Sequence, residues 1–160
     1  MTEASSILPP LDRVDRRILA LLQRDGRLSN AELARKVNLS PASCHRRTRR
    51  LLTEGFIQSV RAAVAPERVQ RGTLVLVGVV LDRSTPDSFA AFETAIGTLP
   101  SVLDCHLVAG DFDYFLKIRV RDIADFNRLH GERLLVLPGV RQTRTFFVMK
   151  EIVDNAPLEF

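Results

Sequence analysis

Arg46, Arg47, Arg49 and Arg50 crowd four guanidinium groups into five residues. A guanidinium stays charged in proteins, and its planar fork matches phosphate oxygens and the edge of guanine. The stretch around them, Ser40 to Gly55, reads SPASCHRRTRRLLTEG. Ser40 can cap a helix, because its hydroxyl accepts from a free N–H of the first turn. Pro41 follows where a missing N–H costs nothing, and Gly55 stands where a helix ends in a left-handed residue. At roughly 100° per residue, Cys44, Thr48 and Leu51 share one face. Ala42, Ser43, Arg46, Arg49, Arg50 and Thr53 lie opposite. Such a helix suits a major groove: small residues for approach, arginines for phosphates and bases. Ser40, Ser43, Arg46, Arg47 and Arg50 are expected near the groove, with Arg49 on a phosphate. The plainer reading of the run alone is a solvated basic helix.

Other reactive side chains form no comparable cluster. His45, His106 and His130 fall in three different elements, and no two have ligand spacing on one helix. There is no nucleophile elbow, P-loop or dinucleotide glycine motif. Catalytic residues, metal and cofactor are therefore not expected. Two cysteines make no disulfide framework. Cys44 and Cys105 each sit on an apolar face of their element, so both are expected to be buried thiols.

The elements that must position the arginines lie upstream. Residues 1–10 read as a disordered lead-in. A helix begins near Asp12, with Asp15 in its positive first turn. Val14, Ile18, Leu21 and Leu22 recur at helical spacing. Ser29 and Glu32 fit a capping box for a short second helix, stapled by Leu28 and Leu33. Asn38-Leu39 is a turn, and Ser40 starts the third helix. Three helices with the last one basic make a helix-turn-helix unit. Charge agrees: residues 1–56 carry net +5, and residues 57–160 carry −1. A polyanion is the natural partner of the first third.

After Gly55 the period changes. Residues 56–64 read as extended, and 66–72 as a linker. From residue 74 the order is strand, helix, strand, strand, helix, strand, the ferredoxin-like βαββαβ pattern. The strands are read at 74–81, 102–109, 114–120 and 140–152. The chain is thus α+β: an N-terminal three-helix winged-type helix-turn-helix domain plus a ferredoxin-like sandwich domain. The boundaries are 11–56 for the DNA-binding domain, 57–73 for a linker strand and turn, and 74–153 for the second domain. One sheet face stays open and carries apolar residues such as Phe115 and Phe147, so it is expected to meet a second subunit. No apolar stretch reaches membrane-span length, and the N-terminus lacks a secretory core, so a cytoplasmic protein is expected.

LDRVDRRILALLQRDGRLSNAELARKVNLSP, CHLVAGDFDYFLKIRV and LPGVRQTRTFFVMKE resemble the Lrp/AsnC (feast/famine) family of transcriptional regulators. The likeness runs from about Leu11 to Ile152, and the last two stretches are nearer its leucine-responsive than its asparagine-responsive branch. It implies binding of double-stranded DNA and regulation of amino-acid metabolism. It also implies dimers through the second domain's sheets, assembling to octamers or beyond. It places an amino-acid effector, leucine or a relative, between dimers at Gly110-Asp111-Phe112-Asp113. On that reading Asp111 and Asp113 accept from the ammonium, and turn N–H groups including that of Gly110 take the carboxylate. Thr143 and Thr145 add hydroxyls, and Leu107 and Ile123 shape an apolar pocket. The plainer reading is that the two aspartates only hold a turn. Some Lrp-like proteins are haem-precursor decarboxylases, but the basic third helix argues against an enzyme. An architectural DNA-binding protein without effector is a further alternative. Two positions depart from the family. Thr48 replaces an aliphatic residue, and its hydroxyl is expected to bond back to a carbonyl of its own helix. Leu52 replaces a charged one, and is expected to cover part of the core.

Overall fold

A computed structural model describes residues 10–160. Nearly all of the expected lead-in, residues 1–9, lies outside the described residues. The chain divides into two compact units, residues 1–63 with 153–160, and residues 64–152.

The first unit holds α1 (Arg13–Arg24), α2 (Asn30–Lys36) and α3 (Pro41–Thr53). Asp12 caps α1 in a reciprocal box with Asp15, and Ser29 caps α2 in another with Glu32. Glu32 is held below its ordinary range by the Ser29 hydroxyl and backbone N–H. Asn38 makes the turn between α2 and α3 with φ 56°, a conformation asparagine tolerates. Ser40 accepts from the Ser43 N–H, with Pro41 just inside α3, and Gly55 has φ 79°. Ile18, Leu33, Ala34, Cys44 and Leu51 form the core. Two details differ from expectation. The Thr48 hydroxyl is buried with no hydrogen-bond partner among the described residues. Leu52 is exposed, because it points away from the face that Cys44 and Leu51 bury. Of residues 56–64, expected as extended, 58–64 carry no regular structure.

The second unit starts with a 3-10 turn at Pro66–Val69. It then builds β1 (Thr73–Leu81), α4 (Pro86–Ile96), β2 (Val102–Leu107), β3 (Tyr114–Val120), α5 (Ile123–Leu129) and β4 (Val140–Phe147). A π-helical turn at His130–Leu134 extends α5. The antiparallel sheet has the order β2-β3-β1-β4, as the βαββαβ pattern requires. β2 and β4 end earlier than the sequence pattern suggests.

Val75, Val77 and Val79 of β1 and Leu116 and Ile118 of β3 face α4 and α5 in one core with Phe92, Phe126 and Leu134. Tyr114 belongs to this core, and its hydroxyl donates to Glu93 Oε1 at 2.7 Å. Burial and that bond push the phenol well above its ordinary pKa.

Register corrects two expectations. Phe147 pairs with Val75 and packs edge-on against Phe126 on the helix side, while Phe146 takes the open side. Cys105 pairs with Leu116 on the helix side, yet it is exposed. β2 is an edge strand, and partial burial together with Glu93 of α4 pushes the Cys105 thiol pKa up. On the open side Phe112 lies over Gly78, where an added Cβ would meet the ring at 2.7 Å. Phe115 stands edge-on to Phe112, and Arg144 lies over the Phe112 ring.

Candidate nucleic-acid interface and effector site

The four arginines of α3 divide into two pairs. Arg47 and Arg50 are three residues apart, about 60° around the helix, and both turn toward α1. Arg47 Nη1 donates to Asp12 at 2.6 Å and to Asp15 at 2.9 Å. Arg50 Nη2 donates to Asp15 at 2.5 Å, and its Nε lies 3.6 Å from Glu54. Asp15 is 1% exposed. A carboxylate removed from water needs charged or hydrogen-bonding partners, and Asp15 has both. Bonds to Asp12 and Asp15 hold the Arg47 guanidinium still more firmly protonated. The Asp15 N–H, and then Arg47, hold the Asp12 carboxyl below its ordinary range.

Arg46 and Arg49 are exposed. Ser40 is exposed and Ser43 half-buried at the start of α3, where the Ser40 hydroxyl donates to Ser43 Oγ at 3.0 Å. The structure therefore sets Ser40, Ser43, Arg46 and Arg49 apart from Arg47 and Arg50, which face α1.

Asp15 does more than complement the helix dipole, since it holds Arg47 and Arg50 of α3. A sharper signal was present: Asp15, Ile18, Leu19 and Leu22 follow i, i+3, i+4, i+7 spacing, so the aspartate lies on the core face.

The expected effector residues other than Ile123 lie toward one end of the sheet and at both its edges, whereas Ile123 opens α5 just past Val120, at the opposite end. Gly110 has φ 145° with open space around its Cβ position, and Asp111 is exposed. Asp113 holds the turn: its carboxylate accepts from the Leu81 N–H at 2.8 Å and the Ser84 hydroxyl at 3.2 Å. Leu107 and Ile123 are both more than half exposed. Thr143 and Thr145 are half-buried on the helix side of β4, and Thr143 Oγ1 lies 2.8 Å from His130 Nε2. Leu107, Tyr114, Val79 and Thr143 form one row across the sheet. Leu107 and Thr143 thus end that row at opposite edges, three strand spacings or ~14 Å apart. One chain does not bring them together.

Residues 11–58 match a winged helix-turn-helix DNA-binding family, and residues 74–158 match the Lrp/AsnC ligand binding domain. The chain belongs to the Lrp/AsnC family. It is 51% identical over 145 residues to the leucine-responsive regulatory protein of Escherichia coli K12, covering 91% of this chain and 88% of that one. A transcriptional regulator from Neisseria meningitidis, solved as a complex with L-methionine, superposes with TM-score 0.89. It is 34% identical, over 94% of this chain and 97% of that one. An AsnC family regulator from Agrobacterium tumefaciens gives TM-score 0.87 at 30% identity, over 93% and 97%. This Lrp/AsnC chain is a DNA-binding transcription regulator of the amino-acid-responsive kind, not an enzyme. Among the described residues no helix is long and apolar enough to cross a membrane.

Proposed function

We propose that this regulator senses leucine or a related amino acid at a site shared between subunits, and that occupancy alters its assembly on DNA. The placement of Leu107 and Thr143 at opposite sheet edges carries the reading. A pocket that uses residues from both edges needs a second chain, so effector binding and assembly are linked. A ligand shifts such an equilibrium only by its preference for one state. In this pocket Asp111 and Asp113 take the ammonium, and the N–H groups around Gly110 take the carboxylate. Thr143 and Thr145 add hydroxyls, while Leu107 and Ile123 flank the ligand's side chain. Asp113 keeps its turn bonds and offers its remaining lone pairs.

Double-stranded DNA lies against the start and outward face of α3, at Ser40, Ser43, Arg46 and Arg49. The open sheet face, with Phe112, Phe115, Phe146 and Arg144, meets a second copy to form the dimer. Dimers then assemble to octamers or beyond through the sheet edges. The protein works in the cytoplasm, with no metal or prosthetic group.

Thermal melting of the DNA-free protein against a panel of common amino acids tests the effector. A ligand at a hundred times its dissociation constant stabilises the folded state by roughly 2.7 kcal/mol. The expected result is a rise for leucine or a relative, with a concurrent change in sedimentation coefficient. A flat panel, or a rise without any change in assembly, contradicts the shared site.

A further inference from the structure

We infer that Asp15 is a positioning residue that withholds Arg47 and Arg50 from the phosphate backbone, leaving outward contact to Arg46 and Arg49. The inference rests on the DNA-facing role proposed for α3. Both oxygens of the buried carboxylate are engaged, Oδ1 by Arg47 and Oδ2 by Arg50. Asp12 accepts a further bond from Arg47, and the Glu54 carboxylate lies 3.6 Å from Arg50 Nε. The five residues carry net −1 in formal charge, so this pair of arginines adds nothing to the outward positive field. With all four arginines free, α3 would present four mobile cations to any duplex.

Sequence-independent affinity grows with the number of phosphates neutralised, whatever the bases. Fixing two of the four cations limits that affinity. The same bonds connect α1 to α3 across 32 and 35 residues of chain. They therefore set the angle at which the remaining side chains approach the groove. Asp15 touches no DNA in this account. It acts through the arginines it holds.

The test is the salt dependence of binding by the full chain to a labelled duplex of mixed sequence. The variants are Asp15→Asn, and Asp15→Asn combined with Arg47→Gln and Arg50→Gln. Asp15→Asn should steepen the slope of log K against log salt by up to about 1.8 per bound protomer, about 0.9 for each released arginine. The triple variant should return to the wild-type slope. An unchanged slope in Asp15→Asn overturns the inference, and is what a merely structural aspartate would give. A triple variant shallower than wild type also overturns it, because Arg47 and Arg50 would then already touch phosphates. Should Asp15→Asn fail to fold, the triple variant decides on the same criterion. Failure of the underlying reading looks different. Arg46→Gln with Arg49→Gln would then keep the wild-type slope, which removes α3 from the DNA and the inference with it.

Discussion

The Asp15 carboxylate, buried in the first turn of α1, receives the Arg50 guanidinium of α3 at 2.5 Å. The two side chains differ sharply in exposure, 1% for Asp15 and 35% for Arg50. Water can solvate Arg50 if its partner is lost. It cannot reach Asp15.

This asymmetry predicts an order of stabilities. Arg47→Ala with Arg50→Ala strands a buried charge and should destabilise the first unit by about 3 kcal/mol or more. Asp15→Ala leaves two partly solvated cations and should cost less, about 1–2 kcal/mol. Urea unfolding followed by circular dichroism checks the order. Equal costs, or a larger one for Asp15→Ala, would mean that burial of the carboxylate is not the controlling term.

Thr48 has a buried hydroxyl without a partner among the described residues. Valine has nearly the same shape and no polar group to desolvate. Thr48→Val should therefore stabilise the protein by about 1 kcal/mol, a few degrees in Tm. A lower Tm would show that the hydroxyl is satisfied in solution.

Tyr114 is the only tyrosine in the chain, so phenolate absorbance reports on it alone. Burial first, and then the bond to Glu93, raise its pKa above the ordinary 10.0. A raised folded value means that its contribution to stability is complete below pH 10 and is lost as pH climbs through the folded value. Spectrophotometric titration of the native protein should give little phenolate at pH 10.5, against more than half in denaturant. Identical curves would refute the buried bond.

Much of this was legible in the sequence because it is local. The caps at Ser29 and Ser40 depend on residues within one turn. Strand order followed from the element order. What stayed hidden depends on distant partners. Nothing near Asp15 announces Arg50, 35 residues away. Alternation shows that Cys105 shares a face with Leu107, but not that its strand lies at the sheet edge. The assignment of Phe146 and Phe147 to opposite faces is set by pairing with β1, which composition does not reveal. At Gly110–Asp113 the sequence allowed a turn-holding role or a ligand role. The bonds from Leu81 and Ser84 establish the first for Asp113, and the second remains compatible with them.

Arg47 and Arg50 hold α3 to α1, and in the division of labour proposed for this helix Arg46 and Arg49 are the residues that meet DNA. The most direct test is the affinity of Arg46→Gln with Arg49→Gln for a labelled duplex at fixed salt, alongside its melting curve. The account predicts at least a tenfold loss of affinity, about 1.4 kcal/mol, with Tm essentially unchanged. Wild-type affinity in that variant would contradict it.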